Sequence, residues 1–125
     1  MNKEFIPYEQ ALELKELGFD DKCFAAMDMY SNIDYGSEMY DWIKNGETVQ
    51  STWAALPLYQ QAFRWFREKY VLKSWVQEHT KDTFIYEIRP HVLSHYKEGE
   101  IYVYPTYEEA ELVCLKKLIE IVKNK

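Results

Sequence analysis

The clearest periodicity along the chain lies in its middle. Leu58, Tyr59, Ala62, Phe63, Phe66 and Tyr70 recur at three- and four-residue intervals, with Gln60, Arg64, Arg67 and Glu68 between them. That spacing gathers the apolar set on one side of a helix over about 57–70, opened by Pro57 and flanked by Trp65. A shorter pattern of the same kind, Tyr8, Ala11, Leu12 and Leu14, begins at Pro7 and ends at Leu17-Gly18. Proline costs nothing where a helix starts, and glycine just past the end takes the left-handed closing turn, so 7–17 is predicted helix. The third helix has the strongest start signal. In Thr106-Tyr107-Glu108-Glu109 the Thr106 hydroxyl can accept from the Glu109 backbone while Glu109 reaches back. Acidic residues fill its first turn, and Lys116, Lys117, Lys123 and Lys125 fill the later turns, which suits the helix dipole. Its stripe is Ala110, Cys114, Leu118 and Ile121, widened by Leu115 and Val122, over about 107–123.

Between the helices the apolar runs are short and rich in aromatic and branched residues, as strands are. Cys23–Tyr30 is expected to pair with Met39–Ile43 across the turn-forming residues Ser31–Gly36. Asn45-Gly46 signals a type I′ turn, after which Thr48–Trp53 returns as a short strand. Later come Val71–Gln77, Thr83–Ile88 ended by Pro90, and Glu100–Tyr104 ended by Pro105. Lys81-Asp82 and Lys97-Glu98-Gly99 supply the polar turns of an antiparallel meander. The order α-β-β(-β)-α-β-β-β-α predicts an α+β fold: a mostly antiparallel sheet with about three helices packed on one face, a two-layer sandwich. A chain of 125 residues without internal repeats or linkers fits a single domain over 1–125.

Composition narrows the function classes. Apolar residues make up 47 % and aromatics 17 %, eleven of them Tyr, which favours a packed core with half-buried aromatic surfaces. The formal charge of −6 opposes binding to nucleic acid or to anionic membranes and leaves room for a basic or neutral protein partner. Cys23 and Cys114 each sit in an apolar run and read as buried free thiols of a reducing cytoplasm. Residues 1–5 lack the apolar stretch of a signal peptide, and no segment has the run of roughly 18 apolar residues that a membrane span needs. The expected location is the cytoplasm.

No catalytic or cofactor motif is legible. His91-Val92-Leu93-Ser94-His95 has the spacing of a zinc-binding histidine pair, but Val92 stands where a zincin carries Glu, and two ligands do not make a site. Asp28, Asp34, Glu38 and Asp41 form an acidic cluster whose spacing does not fit a calcium loop and suits solvated turns. Four glycines, each isolated, cannot build a phosphate cradle. No metal, cofactor or catalytic residue is therefore expected. The candidate binding residues are Arg64, Trp65, Arg67 and Lys69, a basic helix segment beside an aromatic, which with Lys73 and Tyr70 has the makings of a single-strand nucleic-acid surface. The bland alternative is a solvated helix face with an Arg64–Glu68 pair. Trp42, Trp53 and Trp75 would form a protein-binding hot spot if two of them were exposed together.

Residues 55–70, together with Thr106–Leu112 and Cys114–Lys123, resemble a group of small proteins encoded by phages and prophages of gut Bacteroidetes. Phe5-Ile6-Pro7-Tyr8-Glu9, Gly18-Phe19 and Cys23-Phe24-Ala25 share the resemblance, which covers about half of the chain. The resemblance implies a bacterial or phage cytoplasmic accessory protein and carries no activity or residue role. The expected function is non-enzymatic binding of another protein, with nucleic-acid binding through 64–73 as the alternative. An aromatic-rich domain of this size also admits a homodimer.

Overall fold

A computed structural model describes residues 4–35, 53–89 and 103–124. Its elements are α1 (Tyr8–Glu16), β1 (Ala25–Asp28), β2 (Ile33–Tyr35), β3 (Trp53–Leu56), α2 (Tyr59–Tyr70), β4 (Lys73–Thr80), β5 (Thr83–Arg89) and α3 (Tyr107–Lys123). Among the described residues all strand pairing is antiparallel, and the fold is α+β. The described strands form two sheets, in the orders β2-β1-β3 and β4-β5, where the sequence suggested one. β1 has a partner on each edge, its hairpin neighbour β2 on one and β3, from farther along the chain, on the other. The chain groups into two compact units, Met1–Ala62 and Phe63–Lys125.

In the first unit, Pro7 caps α1 rather than opening it. Its extended backbone (φ −64°, ψ 154°) leaves its carbonyl to accept the Ala11 N–H at 2.9 Å. At the other end Gly18, at φ 97°, reverses the chain. The Gly18 N–H donates to the Lys15 carbonyl at 3.1 Å and the Phe19 N–H to the Leu14 carbonyl at 2.9 Å, the two bonds of a Schellman closure. Leu14 and Phe19 are both buried, as that closure favours. The helix packs on β3. Ala11, Ala54 and Ala55 are all fully buried, and side chains this small let the helix and the strand approach closely. Lys15 Nζ donates to the Trp53 carbonyl at 2.6 Å, tying the last turn of α1 to the start of β3. Ala54, Ala55 and Leu56 are buried in succession, so both faces of β3 are covered. A strand covered on both faces shows no alternation, which is why its sequence did not mark it. The expected strand 48–53 meets the described structure only at Trp53, the first residue of β3.

In the second unit, Phe66 has no exposed surface and Trp65 is only 5 % exposed. Trp65 is thus a core residue and not a flanking one. Its ring meets those of Phe66 and Tyr70 edge-on, with centroids at 5.1 and 5.4 Å. After α2, Val71 takes a left-handed backbone at φ 57°, and the Leu72 N–H turns back to the Phe66 carbonyl at 3.2 Å. The β4–β5 hairpin turns at Lys81-Asp82, where the sequence placed it. Glu78 faces Phe84 and Thr80 faces Thr83, which leaves His79 as a one-residue bulge. Ser74, Val76, Tyr86 and Ile88 share the better-buried face of the hairpin, and α3 packs against both strands. Tyr104 exchanges backbone hydrogen bonds of 2.8 and 2.9 Å with Phe84, so the expected strand 100–104 is seen by its last residue, while 100–102 lie outside the described residues. Thr106 caps α3 as its sequence requires, its hydroxyl accepting from Glu109 N at 3.1 Å. The core of α3 includes Ile119, buried, in place of Ile121, half-buried. A helix seated on a two-stranded sheet buries a face broad enough to take in Leu115, Ile119 and Val122 beside Cys114 and Leu118.

Candidate interaction surface

The β1–β2 hairpin is built by one carboxylate. Asp28 ends β1, and its Oδ1 accepts the backbone N–H groups of Tyr30 and Asn32, each at 2.9 Å. Asn32 Nδ2 donates to Asp28 Oδ2 at 3.0 Å. The backbone closes in register: the Ser31 N–H donates to the Asp28 carbonyl and the Asp28 N–H to the Asn32 carbonyl, both at 3.1 Å. Ser31 stands at φ 68°, giving the three-residue loop Met29-Tyr30-Ser31 that ends on a left-handed residue. The sequence placed Ser31–Gly36 in a turn. Instead β2 begins at Ile33, because the Asp28 side chain satisfies the loop's amides within three residues. The expected partner strand 39–43 and the Asn45-Gly46 turn lie outside the described residues.

Donors clustered on Asp28 hold its carboxyl below the usual range. The Asn32 side chain contributes most, burial opposes, and the amides of Asn32 and Tyr30 add to the lowering. The loop therefore carries a fixed negative charge beneath two large apolar side chains. Met29 is 66 % exposed and Tyr30 78 %. Phe24, just before β1, and Tyr35, at the end of β2, are also exposed, and the Tyr35 ring lies 6.4 Å from that of Phe5. In the acidic cluster read from sequence, Asp28 is thus a structural anchor, Asp34 stands opposite Ala26 in the sheet, and Glu38 and Asp41 lie outside the described residues.

The basic segment of α2 divides. Arg64, Arg67 and Lys69 are exposed, and Lys69 Nζ sits 5.3 Å from the centre of the Trp65 ring. Trp65 itself is buried, so the ring on which a base would stack is committed to the core and only the charges face water. On the β4–β5 hairpin, Trp75 is partly exposed. Its indole N–H donates to Gln77 Oε1 at 3.0 Å, and the Arg89 guanidinium lies 6.0 Å from its ring and bonds Glu87 at 3.3 Å. Trp53 is half-buried and Trp42 lies outside the described residues.

Both cysteines are quiet. Burial, helped by the charge of Asp21, pushes the Cys23 thiol up to about 12. Burial pushes Cys114 up to about 12 as well; the Ser74 hydroxyl beside it pulls the other way, and the Glu111 charge adds to the rise. Glu111, on the same side of α3, is raised from 4.5 to about 7 by burial and by its neighbour Glu108. His91 and His95 lie outside the described residues, and among the described residues no group of three His, Cys, Asp or Glu could hold a metal. No helix among them is long and apolar enough to cross a membrane. The tip residues Met29 and Tyr30 escaped the sequence reading, which had folded them into a strand; the usable signal was the Asp28-to-Asn32 spacing of a side-chain-closed turn.

Comparison with known protein families, with curated proteins and with solved structures finds no match to this chain.

Proposed function

We propose that this chain is a non-enzymatic accessory protein that acts by binding another protein, in the cytoplasm of a bacterial cell and with a phage or prophage origin. The observation that carries the reading is the first hairpin, which presents Phe24, Met29, Tyr30 and Tyr35 to solvent on a closed, hydrogen-bonded scaffold. Large apolar side chains at an exposed surface favour partner contact over solvation. The net charge of −6 favours a protein partner over nucleic acid. The resemblance of residues 55–70 and of the last helix to phage-encoded proteins supports the origin.

The test is affinity capture with the tagged full chain from lysate of the cell that encodes it, followed by reconstitution from purified components. A saturable complex with one purified protein, measured by calorimetry, is the expected result. Saturable binding to single-stranded DNA or RNA at low salt, abolished by Arg64→Glu with Arg67→Glu, would replace this reading with the nucleic-acid one.

A further inference from the structure

We propose that the outer edge of β4 pairs with the same edge of a second copy of this chain, antiparallel and about a two-fold axis at Val76, so that two β4–β5 hairpins join into one sheet. This self-pairing stands apart from the protein-binding reading above. It engages neither the first hairpin nor the basic segment of α2, and each reading holds or fails without the other.

The backbone states what kind of occupant the edge takes. Phe84 gives both its N–H and its carbonyl to Tyr104, at 2.8 and 2.9 Å, on the side of β5 away from β4. In an antiparallel ladder the N–H and carbonyl of one residue point the same way, and the direction alternates along the strand. Glu78 faces Phe84, so its own N–H and carbonyl point away from β5. The register runs unbroken back to Lys73, which puts the N–H and carbonyl groups of Val76 and Ser74 on that outer side too. Among the described residues β5 is the only strand paired with β4. The outer edge therefore offers a donor and an acceptor at every second residue from Ser74 to Glu78, a row that another extended backbone matches. The bulge at His79 ends the flat stretch.

Symmetry and charge make that backbone a second β4. The outward residues Ser74, Val76 and Glu78 are spaced evenly about Val76. An antiparallel copy in that register sets Val76 against Val76 and Ser74 against Glu78, so each outward donor meets an outward acceptor. From 73 to 80 the formal charges are Lys73 near one end and Glu78 near the other. Antiparallel self-pairing lays the basic end of one copy beside the acidic end of the other, where parallel self-pairing would set like beside like. In a chain of net charge −6 this stretch is neutral, so the two copies meet at a surface without net repulsion. On the more exposed face of the hairpin, Trp75 is partly exposed and its indole N–H donates to Gln77 Oε1 at 3.0 Å. The pairing sets Trp75 against the second copy's Gln77 and puts the two Trp75 rings at diagonal positions, within reach of each other.

The test is sedimentation equilibrium of the purified full chain from about 5 µM to about 500 µM. A reversible monomer–dimer equilibrium is the expected result. Glu78→Pro removes an N–H that the β5 pairing does not use, and the two-fold axis removes it twice from the interface. The dissociation constant should rise at least about tenfold, with an unchanged circular dichroism spectrum. A second measurement oxidises an equimolar mixture of Trp75→Cys and Gln77→Cys chains with diamide. In the dimer these positions face each other as a non-hydrogen-bonded pair, with Cβ atoms about 4.5–5.5 Å apart. The mixture should therefore give several-fold more disulfide-linked dimer than either variant alone. A chain that stays monomeric at about 500 µM overturns the inference. So does a dimer that folded Glu78→Pro leaves as tight as before, or a mixture that crosslinks no better than its components. If Glu78→Pro alters the spectrum, the crosslinking comparison decides.

Discussion

Asp28 and Asn32 lock the first hairpin through a reciprocal pair: the Asp28 carboxylate accepts both the backbone N–H of Asn32 at 2.9 Å and its side-chain amide at 3.0 Å. The two residues stand opposite each other where β1 ends, and the Asp28 N–H returns to the Asn32 carbonyl at 3.1 Å. The exposed tip between them is a consequence of this pair.

That lock sets a pH dependence. A carboxyl whose folded pKa is depressed contributes stability above its unfolded pKa, here 3.8, and loses it as pH falls through the lower folded value. Asp28→Ala is expected to destabilise the chain at pH 7 and to erase the part of the acid-side loss due to this group. Urea melts at pH 7 and pH 3 check it. An equal cost at both pH values would mean that the carboxylate's charge is not what closes the loop.

Glu111 acts with the opposite sign. Its pKa rises from 4.5 to about 7 on folding, so the folded chain binds its proton more tightly than the unfolded chain. Its contribution is greatest below about pH 4.5, declines through pH 7 and is flat above. Glu111→Gln should gain about 1 kcal/mol at pH 8, once solvent screening of a half-exposed group is allowed for, and nothing at pH 4. Chemical denaturation of the two proteins at both pH values gives the comparison.

Val71 is a β-branched residue in a left-handed conformation and is exposed, so its strain is not offset by burial of its side chain. Such a backbone costs roughly 1–2 kcal/mol for a residue with a Cβ, and glycine adopts it freely at some cost in unfolded-state entropy. Val71→Gly should therefore stabilise the chain by about 1 kcal/mol. Val71→Ala, which keeps the Cβ, should recover much less, and thermal melts of the pair discriminate.

The Thr106 hydroxyl satisfies the Glu109 N–H at the start of α3. Thr106→Ala should cost about 1 kcal/mol, and Thr106→Ser should restore most of it. If alanine and serine melt together, the cap contributes nothing.

Two buried thiols raised to about 12 are nearly all protonated at pH 8. A chromogenic disulfide added to the native chain at that pH should react slowly, and two equivalents should be released promptly only in denaturant. Fast native labelling of either cysteine would contradict its burial.

The sequence by itself determined the helices, the later hairpin and the antiparallel character. The reasons are local: Gly18 reverses the chain, Thr106 caps, Lys81-Asp82 turns, and the spacing of Tyr59, Ala62 and Phe66 selects one buried side. Tertiary structure decided what depends on neighbours far along the chain. β3 is covered on both faces, so its Ala54-Ala55-Leu56 carries no alternation to read. Trp65, at the edge of the apolar stripe by spacing, is buried because its ring meets Phe66 and Tyr70, and that took the aromatic out of the basic surface read from sequence. Ile119 displaced Ile121 because the face that α3 buries is set by the sheet beneath it. The hairpin tip lay between the two kinds of information. Asp28 and Asn32 are four residues apart and their bonds are local, yet propensity alone extends a strand through Met29 and Tyr30. Side-chain capture of the backbone ends that strand at Asp28 and leaves the two residues facing water.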